Sequence, residues 1–125
     1  MIYAVILAGG TGARMGNMDK PKQYLLLNGK PIIIHTIEKF CVNPRFEKII
    51  VLCPQNWMLH TQNLVNRYLS DPGQIEVIEG GNTRNDTIMN AIRHIKNTYE
   101  LNDETIIVTH DSVRPFVTHR IIEEN

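Results

Sequence analysis

The sequence has little cysteine and no long apolar run. Its two cysteines, Cys41 and Cys53, stand far apart, and no closely spaced pair of the metal-binding kind occurs. We interpret both as buried free thiols at the ends of a helix and a strand rather than as a disulfide bridge. No basic n-region with a long apolar h-region opens the chain, and no run approaches the ~20 apolar residues of a membrane span. These absences predict a reduced, cytoplasmic protein that does not associate with a membrane.

The sequence also lacks an excess of charge of either sign, because 13 Lys and Arg residues balance 13 Asp and Glu residues. No overall field therefore draws the chain to nucleic acid or to a membrane surface, and any anion site must be local. The 125 residues, of which 42% are hydrophobic and 21% charged, are enough for one globular domain with a real core.

Two common phosphate-binding fingerprints are missing. The dinucleotide-binding pattern Gly-x-Gly-x-x-Gly is started by Gly10 and Gly12, but Met15 stands where the third glycine belongs. The second predicted strand runs into Cys53-Pro54 and carries no acidic residue for a ribose. No glycine leads into the Gly-Lys-Ser/Thr of a phosphate-loop NTPase. A dinucleotide-dependent oxidoreductase is therefore disfavoured, although it stays a third alternative.

A glycine-rich turn directly follows a first predicted strand at 2–7. The stretch 7–16 reads Leu-Ala-Gly-Gly-Thr-Gly-Ala-Arg-Met-Gly, and its glycines permit positive φ angles and a close approach to a ligand. Backbone N–H groups in such a turn can bind phosphate, and the guanidinium of Arg14 suits phosphate oxygens. A second cationic cluster, Lys20-Pro21-Lys22-Gln23, follows. Strand, glycine turn and cations together predict a polyanion site.

Apolar β-branched runs alternate with helical patterns along the rest of the chain. Helices are predicted from Pro31, over 56–69, from Thr83 and over 120–124, and Asn28-Gly29 predicts a hairpin-like turn. Thr83 with Asp86 predicts a start of the capping-box kind for the third of these helices. Further strands are predicted at 48–53, 75–78 and 105–109. This alternation predicts an α/β fold with a Rossmann-like, mostly parallel sheet and helices on both faces.

Ligands of such sheets bind outside the carboxyl ends of the strands. The glycine turn, the turn at 80–87 and the pair His110-Asp111 each follow or close a predicted strand. Three segments distant in sequence should therefore meet at one edge of the sheet. This convergence predicts a functional site there.

Three motifs together resemble the sugar-phosphate nucleotidyltransferases, and more narrowly the cytidylyltransferases that load CTP onto methylerythritol phosphate or ribitol phosphate. The first is the glycine turn with Pro21-Lys22-Gln23; the others are Gly-Gly-Asn-Thr-Arg-Asn-Asp-Thr at 80–87 and His-Asp-Ser-Val-Arg-Pro-Phe at 110–116. The resemblance covers the whole chain and implies the nucleotide-diphospho-sugar transferase type of fold. Members of the family continue well past residue 125. The resemblance therefore implies that 1–125 is the nucleotide-binding part of a single, truncated domain. It also implies that the full-length form is a homodimer.

The resemblance also implies roles for individual residues. Lys22 would bridge the triphosphate of CTP and the incoming phosphate, and Arg14 would clamp the β- and γ-phosphates; these are the two implied catalytic residues. Asp111, at the end of the fourth predicted strand, would hold Mg²⁺, an ion that prefers oxygen ligands, or another divalent cation. Arg114 resembles an arginine near the site, and its contact with substrate stays open. The residues implied to bind the nucleotide are Leu7, Ala8, Gly9, Gly10, Thr11, Gly12, Gly81, Asn82, Arg84, Thr87, His110 and Ser112.

The implied reaction joins CTP and an alditol phosphate into a CDP-alditol and pyrophosphate. The segments at 54–57 and 85–90, with Ser-Val in place of the usual Ala-Ala after Asp111, favour D-ribitol 5-phosphate, a precursor of teichoic acid. The alternative is 2-C-methyl-D-erythritol 4-phosphate, which feeds isoprenoid synthesis. An alternative of another class is a fragment that binds CTP without catalysing transfer.

Overall fold

The computed structural model describes residues 1–8, 22–99 and 101–111. The glycine turn beyond Ala8, Arg14 and the predicted helix 120–124 lie outside these ranges. Within them, four parallel strands form the central sheet, in the spatial order β5-β4-β1-β6. A short antiparallel pair, β2 with β3, stands apart from it. The strands are β1 (Ile2–Leu7), β2 (Leu26–Leu27), β3 (Lys30–Pro31), β4 (Phe46–Cys53), β5 (Ile75–Glu79) and β6 (Ile106–Asp111).

Three α-helices connect the strands of this described part, and helices cover both faces of the sheet as predicted. They are α1 (Ile32–Cys41), α2 (Met58–Tyr68) and α3 (Arg84–Thr98). Short 3₁₀ turns lie at Lys22–Tyr24, Gln55–Trp57 and Pro72–Gln74. None of the described helices combines the length and the apolar character needed to cross a membrane.

Burial on both faces explains why the inner strands read as continuous apolar runs. Along β1, the side chains of Ala4 and Ile6 enter a core with α1 and α2, while those of Tyr3, Val5 and Leu7 enter a second core with α3. The alternation follows the two-residue period of a strand. Both cores therefore meet at β1, whose carboxyl end leads directly into the glycine turn.

The order of the strands places a topological switch point beside β1. From β1 the chain moves outward to β4 and then β5, and it returns through α3 to β6 on the other side of β1. Leu7 pairs with Leu52 on one side and with Asp111 on the other. Ligands of open parallel sheets bind in the crevice at such a point.

The hairpin forms at the position that Asn28-Gly29 predicts. Both central residues have positive φ, 55° at Asn28 and 79° at Gly29, which a two-residue hairpin loop of the favoured kind requires. The hairpin is held to α1, because Lys30 Nζ donates to Glu38 Oε1 at 2.9 Å and His35 Nε2 lies 2.6 Å from the carbonyl oxygen of Leu27.

Several predicted boundaries were wrong by a few residues. β4 begins at Phe46 rather than at residue 48, because the Phe46 side chain is buried in the α1–α2 core. β6 begins at Ile106 rather than at residue 105, because Thr105 N donates to the Asn102 carbonyl oxygen at 3.1 Å and so belongs to the preceding turn. The strand continues to Asp111, two residues beyond its predicted end. Helix α2 begins at Met58, after the 3₁₀ turn. The prediction that Cys41 and Cys53 are free thiols is confirmed; Cys53 is buried as predicted, whereas Cys41, at the end of α1, is only partly buried.

Candidate nucleotide site at the carboxyl edge of the sheet

The three predicted site segments leave the sheet at the same edge. Beyond the last residue of β1, Ala8 N donates to the Leu52 carbonyl oxygen at 2.7 Å, and beyond β5, Gly80 N donates to the Cys53 carbonyl oxygen at 2.8 Å. Each bond extends the strand pairing past the end of its strand. The segments that follow therefore start from backbone held firmly against the sheet.

The turn after β5 depends on a close approach of Gly81 to the first turn of α3. A side chain at residue 81 would place its Cβ 2.5 Å from Asp86 Cβ and 2.8 Å from the Asp86 carbonyl carbon. Atoms never pack that closely, so only glycine fits without a shift of the backbone. The sequence showed this glycine as part of a motif, and the contact with the helix gives its physical reason.

The hydroxyl of Thr87 holds this turn from inside. Thr87 is 3% exposed, and its Oγ1 accepts a hydrogen bond from Gly81 N at 2.9 Å while donating to the Thr83 carbonyl oxygen at 2.9 Å. The resemblance implied that this hydroxyl faces the nucleotide. In the structure, the hydroxyl forms hydrogen bonds within the turn and so stabilises its shape. Its contact with a nucleotide stays a prediction.

Helix α3 begins at this turn with the cap that its sequence predicts. Thr83 has an extended backbone, and its Oγ1 accepts from Asp86 N at 3.1 Å, as an N-cap threonine does. The positive end of the helix dipole therefore lies beside the turn, where it favours an anion. Asn82, exposed at the tip of the turn, lies next to it.

Arg84 and Asp111 form an ion pair between Nη1 and Oδ1. The Arg84 side chain is 57% exposed and that of Asp111 31%, so solvent screens this pair strongly. The contact joins the segment that follows β5 to the end of β6, although these strands lie at opposite edges of the sheet. Two residues that the resemblance placed in one site are thus brought together.

Lys22 lies at the start of the 3₁₀ turn that follows the undescribed glycine segment, and it is exposed. The next two residues are buried. Gln23 Nε2 donates to the Ala8 carbonyl oxygen at 2.5 Å, and the Tyr24 hydroxyl lies 2.6 Å from Thr61 Oγ1. Lys22 therefore stands beside the end of β1, on a segment fixed by its buried neighbours.

Other predicted residues are placed less directly toward a ligand. The side chains of Leu7 and Ala8 are buried in the two cores, so only their backbone can face a nucleotide. The His110 ring lies 5.5 Å from the Phe40 ring, centroid to centroid, and so contacts α1. Its binding to a nucleotide stays a prediction. The predicted residues outside the described ranges are Gly9, Gly10, Thr11, Gly12, Arg14, Ser112 and Arg114.

The described residues contain no group of three His, Cys, Asp or Glu side chains that could hold a metal ion by themselves. Asp111 alone offers a carboxylate at the predicted metal position. A single carboxylate suits Mg²⁺, which is commonly bound by one or two carboxylates together with substrate phosphates. It does not suit a metal that is held by protein ligands alone.

The two thiols carry no nucleophilic chemistry at neutral pH. Burial raises the pKa of Cys41 to about 11, and burial likewise raises the pKa of Cys53. A thiolate is needed for attack, so both side chains are inert packing groups. At the carboxyl edge of the sheet, the described residues offer the cations Lys22 and Arg84 and the backbone N–H groups at the start of α3, which suit binding of a polyanion.

Comparison with known proteins agrees with this geometry. The family model "IspD: 2-C-methyl-D-erythritol 4-phosphate cytidylyltransferase" matches residues 2–125. The structure is similar to the Francisella tularensis 2-C-methyl-D-erythritol 4-phosphate cytidylyltransferase, with a TM-score of 0.70 and 36% identity, over 95% of this chain and 47% of that chain. It is also similar to 4-diphosphocytidyl-2C-methyl-D-erythritol synthase from Anaerococcus prevotii, with a TM-score of 0.72 and 22% identity, over 98% of this chain and 48% of that chain.

The fold similarity extends to a larger protein. The bifunctional IspDF from Campylobacter jejuni matches with a TM-score of 0.71 and 21% identity, over 98% of this chain and 28% of that chain. The chain thus spans about half the length, or less, of these solved relatives. Since the family match runs through nearly every residue, the chain belongs to the 2-C-methyl-D-erythritol 4-phosphate cytidylyltransferase family.

Proposed function

We propose that this protein transfers CMP from CTP to 2-C-methyl-D-erythritol 4-phosphate. An oxygen of the sugar phosphate attacks the α-phosphorus of CTP, the bond from that phosphorus to the β-phosphate oxygen breaks, and pyrophosphate leaves. The observation that carries the proposal is the family match over residues 2–125. The sequence favoured ribitol 5-phosphate, which has no support from this match or from the solved relatives. The alternative, 2-C-methyl-D-erythritol 4-phosphate, is the substrate after which the family is named.

Charge neutralisation is the main task that this reaction sets. A phosphate monoester is mostly ionised at neutral pH and needs little help from a base, but it must approach a second polyanion. Lys22, exposed beside the end of β1, is suited to bridge the two phosphate groups and to stabilise charge that develops at the α-phosphorus. The helix dipole of α3 adds a fixed positive potential at the same edge.

Asp111 and Arg84 would adjust when a nucleotide binds. Mg²⁺, when bound, would neutralise phosphate charge, and the Asp111 carboxylate would be its ligand from this chain. The pair with Arg84 is exposed and therefore weak, so its guanidinium can exchange the carboxylate for a group of the nucleotide. The turn at Gly81 and Asn82 would read the base through backbone groups.

The proposal is tested by pyrophosphate release with CTP, Mg²⁺ and either 2-C-methyl-D-erythritol 4-phosphate or ribitol 5-phosphate. We expect release with the first sugar phosphate only, and a loss of about a hundredfold or more in Lys22→Ala. Lys39→Ala is the matched control, because Lys39 is exposed near the end of α1 and away from the carboxyl edge of the sheet. Release with ribitol 5-phosphate alone would replace the proposed substrate.

A second candidate function is CTP binding without transfer. CTP binding with no pyrophosphate release from either sugar phosphate would support it. A homodimer and a cytoplasmic location stay predictions, which sedimentation and fractionation would check.

A further inference from the structure

The buried side chain of Gln23 joins two parts of the chain that flank the glycine segment. Gln23 is 1% exposed, and its Nε2 donates to the carbonyl oxygen of Ala8, fifteen residues earlier, at 2.5 Å. Ala8 is itself 2% exposed and is bound through its own N–H to Leu52. The segment that carries Lys22 is thus connected through one amide to the end of β1.

This hydrogen bond is costly to lose because both partners are buried. A carbonyl oxygen away from water needs a donor, and an unsatisfied one destabilises the protein by the full cost of its desolvation. In the described part of the chain, no buried side-chain nitrogen or oxygen lacks a partner. The amide of glutamine supplies an uncharged donor of the right length, whereas a carboxylate at the same place would repel the carbonyl oxygen.

The residues after Gln23 fix the other side of the same turn. The Tyr24 ring stacks on Trp57 with 4.6 Å between centroids, and Leu25 N donates to the Lys22 carbonyl oxygen at 3.1 Å. Ile32 N donates to the Leu25 carbonyl oxygen at 2.9 Å, which joins the turn to the start of α1. The backbone of Lys22 therefore has a rigid base, and Gln23 connects that base to the strand from which the glycine turn starts.

We propose that Gln23 is a positioning residue, whose buried hydrogen bond to Ala8 sets the place of Lys22 relative to the carboxyl end of β1. Gln23 is too deeply buried to be placed for contact with a substrate. It acts through Lys22, and the inference rests on the proposed function because it takes Lys22 to be the lysine that binds the triphosphate. Small displacements of a positioned charge are costly in phosphoryl transfer, since catalysis there is mostly geometry and electrostatics.

The test is a double-mutant cycle on CTP affinity, measured by calorimetry on Gln23→Glu, Lys22→Ala and the double variant. At about pH 8 we expect Gln23→Glu to weaken CTP binding about tenfold, but less than about twofold in the Lys22→Ala background. Gln74→Glu is the matched control, because Gln74 Nε2 also donates to a backbone carbonyl, that of Phe46 at 3.2 Å, at the opposite end of the sheet. Additive effects in the cycle would overturn the inference.

A pH profile of Gln23→Glu gives a second readout that a merely structural role would not produce. A buried carboxyl beside a carbonyl oxygen has a raised pKa, and its protonated form can donate the missing hydrogen bond. We therefore expect CTP affinity, relative to wild type at each pH, to return to within about twofold near pH 6. Among the described residues, Tyr24 has the titratable group that contacts Gln23, and Cys53 in turn contacts Tyr24; burial raises the pKa of both, so both stay neutral throughout. The charged group beside residue 23 is Lys22, the residue before it.

The outcomes separate this inference from the proposed function. The affinity cycle needs no sugar phosphate, so a coupled cycle with no transfer to 2-C-methyl-D-erythritol 4-phosphate would overturn the proposed substrate alone. Transfer with an additive cycle, or with no recovery at low pH, would overturn the positioning role alone. Failure of the wild-type protein to bind CTP would overturn both. Thermal unfolding of each variant establishes that Gln23→Glu is folded before its affinity is interpreted.

Discussion

The two faces of the sheet hold the candidate site by different means. The face covered by α1 and α2 is a large apolar core, and it anchors the Lys22 segment by burying Gln23 and Tyr24. The face covered by α3 contributes to a smaller apolar core. Beside it, Glu76 accepts hydrogen bonds from Tyr99 and from His94, the latter at 2.5 Å, and the turn at Gly81 depends on Thr87.

The difference separates stability from ligand binding. Apolar burial on the α1–α2 face contributes more hydrophobic stabilisation than burial on the α3 face, because more apolar side chains are removed from water there. Hydrogen bonds and close backbone contacts on the α3 face contribute less, but they are directional and therefore decide the shape of a turn. Apolar truncations in the α1–α2 core should act mainly on folding, whereas substitutions in the turn beside α3 should act more on binding.

The largest expected effect comes from the same truncation on each face. Ile37 in α1 and Ile95 in α3 are both fully buried. We expect Ile37→Ala to lower the free energy of unfolding by about 4 kcal/mol and Ile95→Ala by about 2–3 kcal/mol, since the smaller core can collapse around the cavity more easily. Urea denaturation measures both. Equal losses would remove the energetic part of the comparison.

The next effect concerns the close approach at Gly81. In Gly81→Ala the new Cβ meets the backbone of Asp86, and the turn must shift, which we expect to cost about 1–3 kcal/mol and to weaken CTP binding about tenfold or more. Gly80→Ala is the control, because its Cβ would lie 3.4 Å or more from its neighbours. Isothermal calorimetry with CTP checks both variants, and equal affinities for them would contradict the role of the close contact.

A smaller effect distinguishes the hydroxyl of Thr87 from its bulk. Thr87→Val keeps the shape but leaves Gly81 N without its acceptor, and we expect a loss of about 1–2 kcal/mol in stability. Thr87→Ser retains the hydroxyl and should preserve CTP affinity within about twofold. A serine variant that binds CTP as poorly as the valine variant would show that packing by the methyl group, rather than the hydrogen bond, shapes the turn.

The smallest effect is the acid dependence of the cluster at Glu76. Burial raises the pKa of Glu76, but the hydrogen bonds from Tyr99 and His94 outweigh it and leave the pKa below the ordinary 4.5. A carboxyl group whose pKa is lower in the folded state stabilises the protein at pH values above its unfolded-state pKa. This stabilisation is lost as the pH falls through the folded-state pKa. In Glu76→Gln, stability should therefore fall less between about pH 5 and about pH 3. A parallel decline in both proteins would contradict this.

Sequence reasoning failed where a side chain's partner lies far along the chain. Gln23 follows two lysines and a proline in a polar loop, and no local pattern distinguishes it from a solvated residue. Its burial depends on Ala8, a neighbour only in the folded protein. The hydroxyl of Thr87 was recognised by resemblance, but its hydrogen bonds to Gly81 and Thr83 are visible only once the path of the turn is known. The ion pair of Arg84 with Asp111 likewise needs the sheet between them.

The sequence by itself determined the alternation of strands and helices, the hairpin at Asn28-Gly29, the cap at Thr83 and the family. These depend on local periodicity, on the backbone freedom of particular residues and on motifs of fixed spacing. Only the tertiary structure decided which strand lies beside β1, which face each helix covers and which polar groups are paired. Those contacts join residues distant in the chain, and their energies exist only once folding has brought the residues together and excluded water.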